Sequence, residues 1–109
     1  MAAYLVVETD WKDTPLETRT AFGNTARPVI ASYEGRFLTL PGRAAESIEG
    51  DWHPATLAIV EFPNAERIRT MVASPEFGKA VAIRRATNAE FKLVLVDAND
   101  ERADLTPAV

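Results

Sequence analysis

The chain of 109 residues contains no cysteine and one histidine, His53. The first absence excludes disulfides, thiolate metal ligands and cysteine nucleophiles; the second excludes a zinc site built from several histidines of one chain. Positive charge is also scarce. Twelve Lys and Arg stand against sixteen Asp and Glu, for a net charge of −4, and Arg84-Arg85 is the only adjacent basic pair. Phosphate backbones are held by clustered basic residues, so no nucleic-acid partner is expected. Long apolar runs are missing as well. No stretch approaches the roughly 20 residues needed to span a bilayer. The apolar start at Met1–Val7 has no basic flank and runs into Glu8, unlike a signal peptide. No membrane partner is expected, and the expected location is the cytoplasm.

Hydrophobic residues make up 47% of the chain and charged residues 26%, a mixture that belongs to globular domains rather than disordered ones. The length suits one domain. It is expected over residues 1–97, with 98–109 as a polar, acidic, aperiodic tail.

The pattern of elements is legible from turn and cap residues. Tyr4–Thr9 is short, apolar and β-branched, as a strand should be. Thr14-Pro15-Leu16-Glu17 has capping-box spacing with proline at the first helical position, so a helix is expected from there. Pro28 falls inside that helix and predicts a kink or restart near Asn24–Pro28. Gly35 is expected to end the helix in the left-handed conformation. Arg36–Leu40 reads as a second strand, Pro41-Gly42 as a turn and Ala45–Glu49 as an extra short hairpin strand. Leu57–Phe62 is the clearest central strand. Two further helical pieces follow, one capped by Asn64 with Ile68, Met71 and Val72 inward, the other opened by Ser74-Pro75. Ala89–Val96 alternates as a last strand.

The order β-α-β-(β)-β-α-β predicts an α+β fold, the ferredoxin-like βαββαβ arrangement with an antiparallel sheet. Both helical layers would lie on one face. The strands carry apolar residues on both faces, as in Leu5 and Val7 against Tyr4 and Val6, so the uncovered face predicts a homodimer, two copies meeting through their open sheets.

Five pieces in order are characteristic: Tyr33-Glu34-Gly35-Arg36-Phe37, Glu49-Gly50-Asp51-Trp52, Glu61-Phe62-Pro63, Ser74-Pro75-Glu76-Phe77, and Arg84. Together they make the chain resemble the DUF1330 family of the dimeric α/β-barrel superfamily. The resemblance runs from Tyr4 to Val96 and implies the ferredoxin-like fold and a dimeric barrel. The superfamily includes cofactor-free monooxygenases, isomerases, haem- and chlorite-active enzymes, and helpers of biosynthetic pathways, so membership does not choose an activity.

Antiparallel pairing brings the end of the first strand beside the starts of the third and last. Glu8 and Trp11 should therefore meet Asp51, Trp52, His53, Arg84, Arg85 and Asn88 at one end of the sheet, with Glu61 at the other beside Tyr4 and Arg36. That first end is the expected site. His53 would be the general acid or base, since its ordinary pKa of about 6.5 suits proton transfer near neutrality. Asp51 or Glu8 would orient it, Arg84 would hold an anionic oxygen, and Trp52 and Tyr33 would border a ligand. Each residue also has a purely structural use: His53 as a solvated loop residue, Asp51 in an Asx turn, Trp52 and Tyr33 in packing, Arg84 as a helix C-terminal cation. Haem ligation by a loop histidine beside proline is disfavoured, and no cofactor is expected. Two functions stay open: cofactor-independent proton transfer, isomerisation or oxygenation of a small metabolite, or non-catalytic small-molecule binding in support of another enzyme.

Overall fold

Alternating apolar residues place Ala3–Asp10 at the middle of the sheet as strand β1 in a computed structural model that describes residues 2–98. Helix α1 (Leu16–Ser32), strands β2 (Arg36–Phe37) and β3 (Thr56–Phe62), helices α2 (Ala65–Val72) and α3 (Pro75–Arg85), and strand β4 (Glu90–Asp97) follow. The strand order is β2-β3-β1-β4, antiparallel throughout. This is the ferredoxin-like arrangement that the element order predicted.

Register sorts the side chains onto two faces. Leu5 pairs with Val60 and Leu95, and Ala3 with Phe62. These inner-face residues join Ile30, Ile68, Met71 and Phe77 from the helices in the core. On the other face Tyr4 stands between Glu61 and Val96, and Val6 between Ile59 and Val94. Val94 and Val96 are 56% and 48% exposed, so the expected open apolar face exists. Glu61 on that face pairs with Arg36 at 2.5 Å, which accounts for a carboxylate on a central strand.

Several local expectations hold. Asn64 accepts from the Arg67 N–H at 2.9 Å and Ser74 from the Phe77 N–H at 3.1 Å, capping α2 and α3. Others need correction. Helix α1 starts one residue later than the capping box requires, with Pro15 at the N-cap and no side-chain cap. The Thr14 N–H closes a turn on the Trp11 carbonyl at 3.0 Å, and its buried hydroxyl has no partner among the described residues. The same helix is continuous through Pro28. Both Pro28 and Asn24, whose carbonyl loses its intrahelical donor, are exposed, so water can satisfy the orphan.

The helix ends on Glu34, not Gly35, in the left-handed region, at φ 65°. The Glu34 N–H bonds to the Ala31 carbonyl and the Gly35 N–H to that of Ile30, a Schellman closure. Gly35 is needed for a different reason: a Cβ there would stand 2.5 Å from Ile30 Cγ2 and 2.7 Å from Phe62 Cζ. Strand β2 is two residues long, although the Leu38 N–H still reaches the Ile59 carbonyl at 2.8 Å. Residues 45–49 form no strand, so the extra hairpin strand is absent among the described residues. Among the described residues no strand pairs with them, and Ile48 is 87% exposed. Val72 is exposed rather than inward. The tail expected over 98–109 lies, apart from Ala98, outside the described residues.

Candidate functional site

Helix α1 does not close down on the sheet along its whole length. Near Ile30 it meets the core; towards its N-terminus a cavity of about 340 Å³ separates it from the inner face of the strands. The floor is Leu5, Val7 and Thr9 of β1, Ala58 and Val60 of β3, and Leu93 of β4. Helix α1 supplies Thr20, Gly23, Asn24 and Ala26, and the chain after β2 adds Pro41 and Gly42 at the edge.

One end is aromatic. Trp11, Phe22 and Phe91 form a triangle with centroids 5.0–5.5 Å apart, two of the three pairs being edge-to-face, as ring quadrupoles favour. Onto it lies Arg84, its Cζ 4.7 Å from the Phe91 centroid. The α3 helix carries Arg84 in its last turn, where a cation also complements the helix dipole. Burial, with a smaller push from Arg85, lowers its pKa below the ordinary value. A guanidinium stays charged regardless. No carboxylate lies within 4.0 Å of Arg84 among the described residues, where the ion pairs are made by other cations. A half-buried cation without a counter-charge is costly, and an anionic ligand oxygen would relieve that cost.

The charged residues of the lining are Arg19, Arg27 and Arg84; no Asp, Glu, His, Lys or Tyr is among its described residues. In a chain of net charge −4 this cavity is therefore basic by placement. Asn24 and Thr9 add polar side chains to the same lining.

The residues expected at the site divide. Arg84 and Trp11 line the cavity. Glu8 does not: strand alternation that turns Val7 and Thr9 towards the cavity turns Glu8 to the open face. There its carboxylate accepts from Trp52 Nε1 at 2.7 Å and lies 3.9 Å from Lys92 Nζ. Trp52, 57% exposed, is thus pinned over the open face, not stacked in the cavity. His53 and Asp51 are exposed and outside the lining, because Pro54, not His53, is the buried residue of that loop. Tyr33 packs beside the core and borders a shallow groove with Arg69, Thr70 and the start of α3, away from the cavity. Sequence reasoning missed Arg19, Asn24, Arg27 and Phe91. The available signal was the spacing Arg19, Gly23, Arg27, which puts all three on one stripe of α1.

Among known proteins, a family model described as a domain of unknown function (DUF1330) matches residues 2–99. No curated protein matches the chain. Solved structures show the same fold at low identity. The RPA0582 protein of unknown function from Rhodopseudomonas palustris is 20% identical, with a TM-score of 0.64 over 97% of this chain and 84% of that one. SnoaB, a cofactor-independent oxygenase from Streptomyces nogalater, is 21% identical, with a TM-score of 0.63 over 89% and 92%. A dimeric ferredoxin-like protein of unknown function from Thermobifida fusca YX is 16% identical, with a TM-score of 0.58 over 89% and 91%.

Proposed function

Because the chain belongs to the DUF1330 family, whose description carries no activity, we propose a function from the cavity itself: a homodimeric protein that binds a small, aromatic-bodied metabolite by an anionic oxygen held at Arg84. The observation that carries this is a half-buried guanidinium without a carboxylate partner among the described residues, resting on an aromatic triangle at the end of an apolar cavity. The cavity volume lies at the low end of the range for small-molecule sites. The homodimer is supported by the open apolar face and by a structural neighbour described as dimeric.

Trp11 makes the proposal measurable. With Trp52→Phe as background, the remaining indole lines the cavity and reports occupancy by its fluorescence. Titration with 4-phenylbutanoate should quench or shift that signal, and Arg84→Gln should weaken binding about tenfold or more, as expected for a charge-assisted hydrogen bond. Equal affinity in the two proteins would remove Arg84 from the site. If no aromatic acid or phenol perturbs Trp11, the cavity is not a ligand site.

A second reading is catalytic. Proton transfer or isomerisation needs an acid or base, and the described cavity walls supply none. Substrate-driven oxygenation asks less of the protein: a substrate bound as phenolate or enolate provides the electrons, dioxygen accepts them, and Arg84 stabilises the anion. The likeness to the SnoaB structure supports this version over proton transfer or isomerisation. Oxygen uptake with an electron-rich phenol that binds decides between them. Uptake abolished by Arg84→Gln supports oxygenation, and binding without uptake leaves the non-catalytic function.

A further inference from the structure

The helix stripe opposite the sheet points to a second acidic group on the ligand. Arg19, Gly23 and Arg27 follow one another at four-residue intervals, so they lie along one face of α1, and all three line the cavity. Glycine inside a helix is unfavourable relative to alanine. Sterics do not demand it at position 23: a Cβ there would meet only Arg27 Nε, at an ordinary 3.9 Å. That distance also shows where Arg27 goes: its side chain folds back over Gly23. Arg19 is fixed from the other side, its Nε donating to the Thr14 carbonyl at 2.9 Å, which leaves its terminal NH2 groups free to donate. Neither guanidinium has a carboxylate within 4.0 Å among the described residues. Thr20 and Asn24, one residue further on from Arg19 and Gly23, add a hydroxyl and an amide to the same wall.

We propose that Arg19 and Arg27 form an anion seat across Gly23 at the mouth of the cavity, so that the ligand is an aromatic diacid with one acidic group at Arg84 and a second on this stripe. The proposal rests on the cavity being the ligand site. Gly23 contributes no side chain of its own between the two arginines, so only the folded-back Arg27 side chain covers the helix there. Two guanidiniums flank it, and planar forks of N–H donors suit a carboxylate or phosphate better than a point charge would. Among its described residues the lining has no acidic side chain to oppose a doubly charged guest.

The test compares 4-phenylbutanoate with 4-(4-carboxyphenyl)butanoate, the same skeleton with a second carboxylate, on the Trp52→Phe protein at physiological salt, where distant charges are largely screened. The diacid should bind about fivefold to tenfold more tightly. Two variants should each bring that ratio close to one: Arg19→Gln with Arg27→Gln, which removes the charges, and Gly23→Leu, which keeps them and fills the seat. A ratio near one in the unaltered protein, or a preference that survives both variants, overturns the second seat while leaving the Arg84 site standing. Failure of both probes to perturb Trp11 overturns the cavity as a ligand site and the seat with it.

Discussion

Replacing Gly35 by alanine should destabilise the domain, and the same replacement at Gly78 should do the opposite. At position 35 the new methyl would stand 2.5 Å from Ile30 Cγ2 and 2.7–2.8 Å from two ring carbons of Phe62. Neither neighbour can yield cheaply, since Ile30 is 9% and Phe62 1% exposed. Overpacking of this kind costs about 1–3 kcal/mol. Against it stands the reduced freedom of the unfolded chain, worth about 0.4–1 kcal/mol. Because Gly35 does not have a positive φ, no backbone strain enters the sum. The net is a loss of about 1–2 kcal/mol, or about 5–15 °C in Tm for a domain of this size. At Gly78, inside α3, nothing lies within 4 Å of the added Cβ, so helix propensity alone acts and stability should rise by up to about 1 kcal/mol. Thermal unfolding followed by far-UV circular dichroism reads both. A double-mutant cycle with Ile30→Ala adds a control, because removing Cγ2 should recover part of the Gly35→Ala loss. Wild-type stability in Gly35→Ala, or no coupling to Ile30, would refute the close-approach account of this glycine.

Three further outcomes follow from the same geometry. Arg84→Gln should weaken aromatic-acid binding about tenfold, read by Trp11 fluorescence in the Trp52→Phe background. Val94→Asp places a charge on the open face, where a single folded chain tolerates it but a buried interface does not; light scattering should then give the mass of one 12.0 kDa chain, and a persisting dimer would move the interface elsewhere. The Lys12–Glu90 pair, 2.7 Å apart, lowers the pKa of Glu90 and raises that of Lys12, in each case first through the hydrogen bond and then through charge. A depressed carboxylate contributes stability above its ordinary value of 4.5 and loses it as pH falls through the lower folded value. A raised ammonium contributes below 10.5 and loses it as pH rises through the higher one. The Tm difference between wild type and Lys12→Ala should therefore hold across the neutral range and close at both extremes; a gap that stays constant into acid would sink the assignment.

The fold was legible where local signals and tertiary packing agreed. Asn64, Ser74 and Pro75 open helices as their types prefer, and the short apolar run Leu57–Phe62, bounded by turn residues, became strand β3. Errors came where tertiary packing overrode a local preference. Glu34 took the left-handed position because Gly35 was required one step later for contact with Phe62. The 45–49 segment has one β-branched residue, Ile48, and pairs with no strand among the described residues. For the site, topology brought Glu8, Trp11, Trp52 and Arg84 to one end of the sheet, and so it is, but an end has two faces. Strand parity, already readable from Val7, Glu8 and Thr9, separates Arg84 and Trp11 in the cavity from Glu8 and Trp52 on the open face.

The cavity itself is written as a deficit of volume. Where the core is full, large residues oppose one another: Phe62, Ile68, Met71 and Val60 are the largest fully buried side chains. Where the cavity opens, Gly23 and Ala26 of α1 share the lining with Ala58 of β3, small residues on both sides of one gap. A close-packed domain alternates large against small across such a gap. If 340 Å³ were dry and sealed, cavity costs of about 24 cal/mol per Å³ would reach about 8 kcal/mol. That is comparable to the whole stability of a domain, about 5–15 kcal/mol. The polar rim removes the problem, since Arg19, Asn24 and Arg27 let water stand in the space when no ligand does. A leucine at position 23 would take up part of the gap and suit the helix better. Glycine there, between two guanidiniums with no carboxylate partner among the described residues, forgoes stability where a guest would need room and charge.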